Sequence, residues 1–216
     1  MPKILTYIQQ FDNKIEEIKR QIAETGIKPT LLLHVCCAPC SSFVLENLAE
    51  YFDVTIYYYN PNIHPKSEYM QRRNELKEFV QHFPPAMNVK IIIPEYEPRE
   101  FFNAIDLEHH PERRKEREKG ERCQSCYHLR IAESYKFAIK NNFDYMTTAL
   151  SISPYKDAKI INTIGQELED FYPTHTKFLI ADFKKKNGFK RSLEISCEYK
   201  LYRQDYCGCV FSKHNG

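Results

Sequence analysis

Tryptophan is absent from these 216 residues, so the aromatic 13% consists of Tyr and Phe alone. Any stacking surface must be built from those two types, although core packing and strand propensity account for most of them. No run of about 18 apolar residues occurs, which excludes a membrane-spanning helix. Residues 1–10 have neither a basic n-region nor an apolar h-region, so no secretory leader is expected and the chain is placed in the cytoplasm. Charge of one sign is also lacking: 31 Lys and Arg face 29 Asp and Glu, for a net +2. A globally basic nucleic-acid binder is more lopsided, so RNA contacts must come from local patches. Internal repeats and low-complexity linkers are missing too. The length suits one domain with an appendage: a helical extension over 1–28 and an α/β domain over 29–216.

Glycine is scarce, six in all, and none lies between His34 and Cys40. Many α/β enzymes carry an S-G-G-x-D-S loop after the first strand, whose backbone cradles pyrophosphate. Here that position reads His34-Val35-Cys36-Cys37-Ala38-Pro39-Cys40. The phosphate nest is missing, which argues against ATP chemistry.

The hydrophobic pattern alternates between helix and strand periods. Ile4, Ile8, Phe11, Ile15, Ile18 and Ile22 recur at three- and four-residue steps and predict a helix over 3–25. Short apolar runs predict strands at 31–35, 53–59, 89–94, 145–150 and 177–181. Helices are expected after Cys40, with Ser41 or Ser42 as the cap, and over 66–82, 98–106, 122–141 and 157–170. This alternation predicts a doubly wound, mostly parallel α/β sheet. In such sheets ligands bind beyond the C-terminal strand ends. Cys36-Cys37, Asn60-Pro61-Asn62 and Ser151-Ile152-Ser153 all fall at such ends. The mixed charge run HHPERRKEREKGER at 109–122 reads as a solvated loop or helix start, directly before Cys123.

Cysteine is in surplus: there are eight, seven of them clustered. A chain of this length buries a core without disulfide staples, and clustered cytosolic thiols read as metal-binding or catalytic. Cys123-Gln124-Ser125-Cys126 is a C-x₂-C pair, whose spacing serves zinc and iron–sulfur clusters alike. Cys36 and Cys37 are adjacent at a strand end, where a vicinal disulfide is strained and a shared metal site is the easier use. Two plus two thiolates complete the four ligands of a [4Fe–4S] cluster; a structural Cys₄ zinc site is the rival. Cys40 reads either as a small residue in a helix start or as a metal-ligand candidate beside the cluster. Cys197 reads as an ordinary buried cysteine. In Cys207-Gly208-Cys209 the glycine permits the backbone angles of a short, easily reduced disulfide ring; further metal ligands are the alternative. Arg203 and the neighbouring Tyr side chains can touch phosphate and base.

Several motifs in order resemble a known family, the epoxyqueuosine reductases of the QueH type. They are His34-Val35-Cys36-Cys37-Ala38-Pro39, Tyr59-Asn60-Pro61-Asn62-Ile63, Glu68-Tyr69 with Arg72-Arg73, and Arg122-Cys123-Gln124-Ser125-Cys126-Tyr127. Thr147-Thr148-Ala149-Leu150, Ser153-Pro154-Tyr155-Lys156 and Tyr202-Arg203-Gln204 leading to Tyr206-Cys207-Gly208-Cys209 complete the set. The match runs from about residue 30 to the end, leaving the first helix outside it. The resemblance implies an adenine-nucleotide-hydrolase-like (HUP-type) fold and an oxidoreductase that reduces the epoxide of epoxyqueuosine in the anticodon loop of tRNA. It implies a [4Fe–4S] cluster on Cys36, Cys37, Cys123 and Cys126, a redox-active pair of Cys207 and Cys209, and an additional mononuclear iron. Some members carry Asp where this chain has Cys40. An electron donor is implied as a partner, and no membrane. Two other functions remain open on the residues alone: a zinc-stabilised RNA-binding module, and a thiol–disulfide reductase acting through Cys207 and Cys209.

Overall fold

The computed structural model describes residues 5–213. Its centre is a five-stranded, all-parallel sheet in the order β3-β2-β1-β4-β5. The strands are β1 (Thr30–His34), β2 (Asp53–Tyr57), β3 (Lys90–Ile92), β4 (Tyr145–Thr148) and β5 (Lys177–Phe178). The helices are α1 (Tyr7–Thr25), α2 (Ala38–Leu48), α3 (Lys66–His82), α4 (Pro98–Ile105), α5 (Glu121–Lys140), α6 (Ala158–Phe171) and α7 (Gly188–Glu198). The predicted doubly wound α/β class is what the structure shows.

The sheet is buried on both faces, which explains why β1 reads as an unbroken apolar run. Leu31 and Leu33 point into a core shared with α1, α2, α3 and α7, while Leu32 points into a second core with α5 and α6. Helix α1 is part of this packing. Its Ile15 and Ile18 lie in the first core, and Phe11 meets Phe183 edge-on at 5.7 Å.

Strand order reverses between β1 and β4, which pair through Leu31↔Tyr145 and His34↔Thr148. Both chains leave the sheet side by side at their C-terminal ends, creating the crevice where such folds bind ligands.

Several boundaries differ from expectation. Helix α1 begins at Tyr7 behind a Thr6–Gln9 capping box rather than at residue 3, and residues 3 and 4 lie outside the described residues. Strand β4 stops at Thr148, whose hydroxyl accepts the Leu150 N–H at 3.2 Å and turns Ala149–Ile152 into a 3₁₀ turn. Strand β5 spans only two residues. Neither Ser41 nor Ser42 caps α2. Pro39 stands in the first turn and starts the helix earlier, with Cys37 at the N-cap. The two serine hydroxyls instead donate to the carbonyls of Ala38 and Pro39. Helix α7 was not expected at all, and Cys197 is exposed on it rather than buried.

Candidate metal and redox centre

The centre is built at the C-terminal edge of the sheet. Strand β1 delivers Cys36 and Cys37, and the first turn of α2 delivers Cys40. The three sulfurs lie within 4.8 Å of one another, with Cys36 and Cys37 Sγ 3.7 Å apart. Such spacing suits a single metal ion.

Helix α5 supplies the second set. Cys123 and Cys126 sit three residues apart in its first two turns and so share one face. Cys123 is half-buried and Cys126 buried. They line a small cavity together with Tyr127, Cys207 and Cys209. A second cleft is lined by Cys36, Cys40, Arg203 and Cys207. Tyr155, Lys156 and Cys207 line both spaces, so the three cysteine groups of the sequence share walls. No two of the eight thiols are bonded to each other.

The C-terminal pair is held by backbone rather than by a regular element. Buried Arg72 donates from Nη1 to the Cys207 carbonyl at 3.0 Å and from Nη2 to the Tyr206 carbonyl at 3.2 Å. Its Nε donates to Glu68 Oε1 at 2.6 Å. The His64 N–H donates to the Gly208 carbonyl at 2.8 Å, and the Tyr206 hydroxyl to the His64 carbonyl at 2.7 Å. Gln204 Nε2 lies 3.0 Å from Cys37 Sγ, joining this segment to the first cysteine group.

Electrostatics divide the thiols. Hydrogen bonds from Cys37 and then Cys40 hold Cys36 well below the usual thiol range. Burial pushes Cys37 up to about 12 and Cys126 up to about 11. Burial likewise raises Cys209 to about 12. Of three touching thiols, only one ionises easily. Burial works against the Lys156 ammonium, but Cys207, Cys36 and Cys40 outweigh it, and the charge is retained.

His34 is buried, and burial is the main reason its imidazole is lowered to about 3. Its Nε2 faces the Tyr59 carbonyl at 3.1 Å and its Nδ1 the Thr148 hydroxyl at 2.7 Å. A carbonyl only accepts, so Nε2 carries the hydrogen and the Thr148 hydroxyl donates to Nδ1. His34 is thus a neutral strut across β1, β4 and the loop after β2, with both nitrogens occupied. Asp157 is the N-cap of α6, accepting from the Lys159 and Ile160 N–H groups.

The residues fit an anionic metal–thiolate group. Two elements offer pairs of thiols, and three fully buried guanidiniums surround them: Arg72, Arg122 and Arg130. Arg122 and Arg130 each keep an Nε with no partner. Buried charge of this kind calls for a counter-charge.

A family model described as epoxyqueuosine reductase QueH matches residues 31–215. This chain belongs to the QueH family of epoxyqueuosine reductases. It is thereby an oxidoreductase. A protein of that name from Staphylococcus epidermidis is 41% identical over 204 residues, covering 94% of this chain and 84% of that protein. One from Haemophilus influenzae is 38% identical over 184 residues, covering 84% of this chain and 71% of that protein. One from Thermotoga maritima is 34% identical over 190 residues, covering 85% and 90%. No described helix is long and apolar enough to cross a membrane.

Arg130, buried on α5 one turn after Cys126, belongs to none of the motifs singled out in the sequence. The signal was present: Cys123, Cys126 and Arg130 follow i, i+3, i+7 spacing, which is one helical face.

Proposed function

We propose that this chain reduces the epoxide of epoxyqueuosine in tRNA to the alkene of queuosine. In this reading Cys36, Cys37, Cys123 and Cys126 hold a [4Fe–4S] cluster, Cys40 contributes to an adjoining iron site, and Cys207 and Cys209 are a redox pair. The observation that carries it is Cys207 lining both cavities, between the two groups of candidate ligands. Family membership supplies the substrate. A bound cluster supplies single-electron transfer and a Lewis-acidic iron for the epoxide oxygen.

The chain's own residues supply the rest. The reaction breaks both C–O bonds of the epoxide and releases the oxygen as water, consuming two electrons and two protons. Oxidation of the Cys207–Cys209 dithiol to a disulfide yields two electrons and two protons, so the turnover balances. An external thiol or electron donor then restores the dithiol. Arg72 fixes the backbone of that pair. Lys156 holds its proton at Nζ on the wall common to both cavities. Tyr155, 68% exposed at the rim, offers a stacking face for a base presented from a flexible single-stranded loop, and Arg203 beside it suits a phosphate.

Anaerobic purification with metal and sulfide analysis tests this reading. A brown protein with about four iron and about four sulfide per chain, with further iron at the Cys40 site, supports it. A colourless protein with about one zinc per chain overturns it in favour of a zinc-stabilised RNA-binding module.

A further inference from the structure

Arg130 is a large cationic side chain that the mechanism above leaves unused. It is 1% exposed and lies on α5 one turn after Cys126. Nη2 donates to Asn60 Oδ1 at 2.7 Å, and Nε has no partner. Among the described residues the arginine ion pairs are those of Arg72, Arg113 and Arg191, so Arg130 has no carboxylate to balance it. What stands near it instead is sulfur: Cys126 one turn back on the same helix face, with Cys36 and Cys207 also close enough to interact with its charge. Arg130 therefore lies near a member of each of the three cysteine groups.

Its orientation is fixed by a relay. Asn60 Nδ2 donates to the Val35 carbonyl at 2.8 Å, which leaves Oδ1 as the acceptor for Arg130. Val35 immediately precedes Cys36, so the same contact ties α5 to the strand end carrying the first cysteine pair. A guanidinium buried without an anion carries a large desolvation cost. Asn60 is neutral and does not offset that cost; a thiolate-bound metal group does.

We propose that Arg130 is the charge-compensating and positioning residue of the metal–thiolate centre, its guanidinium aimed at the cluster ligands by Asn60. This rests on the [4Fe–4S] reading above. Because Arg cannot lose its proton in a protein, the positive charge is permanent and favours the more anionic, reduced form of the centre. Removing it lowers the reduction potential.

The test uses the full chain, reconstituted anaerobically, with Arg130→Met, Arg130→Lys and Asn60→Leu. The readouts are iron and sulfide content and the midpoint potential from an EPR-monitored titration. Arg130→Lys is expected to keep the metal and stay near the wild-type potential. Arg130→Met is expected to become at least tenfold harder to reduce, a shift of about 59 mV or more to negative potential for one electron, or to lose iron while Arg130→Lys retains it. Asn60→Leu, which keeps the charge but frees it, is expected to shift the potential in the same direction by less. The role is overturned when Arg130→Met holds wild-type iron at wild-type potential, or when Arg130→Lys fails as completely as Arg130→Met. Wild-type protein without iron and sulfide refutes the cluster itself and the role with it; a wild-type cluster with an unshifted Met variant refutes the role alone.

Discussion

Gly208 shows how one residue can govern the backbone between Cys207 and Cys209. Its φ is +104°, a region side chains avoid, and an added Cβ would stand 3.0 Å from both Arg72 Nη1 and Ile63 Cγ1. Gly208→Ala is therefore expected to destabilise the protein by about 1–3 kcal/mol, read as a lower urea midpoint, and to disturb the Arg72 clamp on Cys207. Glu75 behaves differently. Burial raises its carboxyl, only partly opposed by the Tyr202 N–H that it accepts, and Oε2 has no partner. A folded-state value above the unfolded one means the native protein binds more protons, so stability falls as pH rises past the ordinary carboxylate range. Glu75→Gln is expected to be more stable than wild type at pH 7, with the gain shrinking toward pH 4, in denaturant titrations at both pH values. At this scale the sequence was readable for thiols and much less so for their partners. A C-x₂-C pair is visible as spacing, whereas the Arg72 contact with Cys207 spans 135 positions.

The elements were legible where burial imposes a period. Helix α3 matches its predicted span, and β1 was found from its apolar run. Strand ends were overread because Ala149, Leu150, Leu179 and Ala181 are buried and apolar beyond the last ladder residues, with only the Leu179 N–H still donating across to the Met146 carbonyl. Helix α7 was missed because it is short and follows a lysine-rich stretch, entering through Asn187 at positive φ. Its Gly188 is required there, since a Cβ would lie 2.0 Å from the Phe183 carbonyl oxygen. The first helix lies outside the matched family region yet packs as core. Ile18 is fully buried against that core. Ile18→Ala is expected to cost about 2–5 kcal/mol, measured as the free energy of unfolding. A loss under about 0.5 kcal/mol would show that α1 is a dispensable appendage.

On the scale of the whole molecule, strand order explains why distant cysteines meet. The reversal between β1 and β4 opens a crevice at the sheet's C-terminal edge. Cys36, Cys37 and Cys40 reach it from β1 and α2, Cys123 and Cys126 from α5, and Cys207 and Cys209 from the C-terminal segment. The sequence predicted that edge from strand ends alone. It did not reveal that Cys207 belongs to both cavities, because no local pattern encodes the return of the last segment. The shared crevice sets the cluster reading against a simple dithiol reductase. If Cys207 and Cys209 act alone, Cys123→Ser should leave turnover intact. If they act with a cluster, it should abolish turnover.

The most direct test is anaerobic single turnover on tRNA carrying epoxyqueuosine, using pre-reduced, iron-loaded protein and no added donor, with nucleosides quantified by mass spectrometry and thiols counted before and after. The expected result is about one queuosine per chain, matched by the loss of two thiols mapped to Cys207 and Cys209, with none formed by Cys123→Ser or Cys207→Ser. Queuosine formed at wild-type yield by either variant, or no queuosine from iron-loaded wild type, would contradict the account.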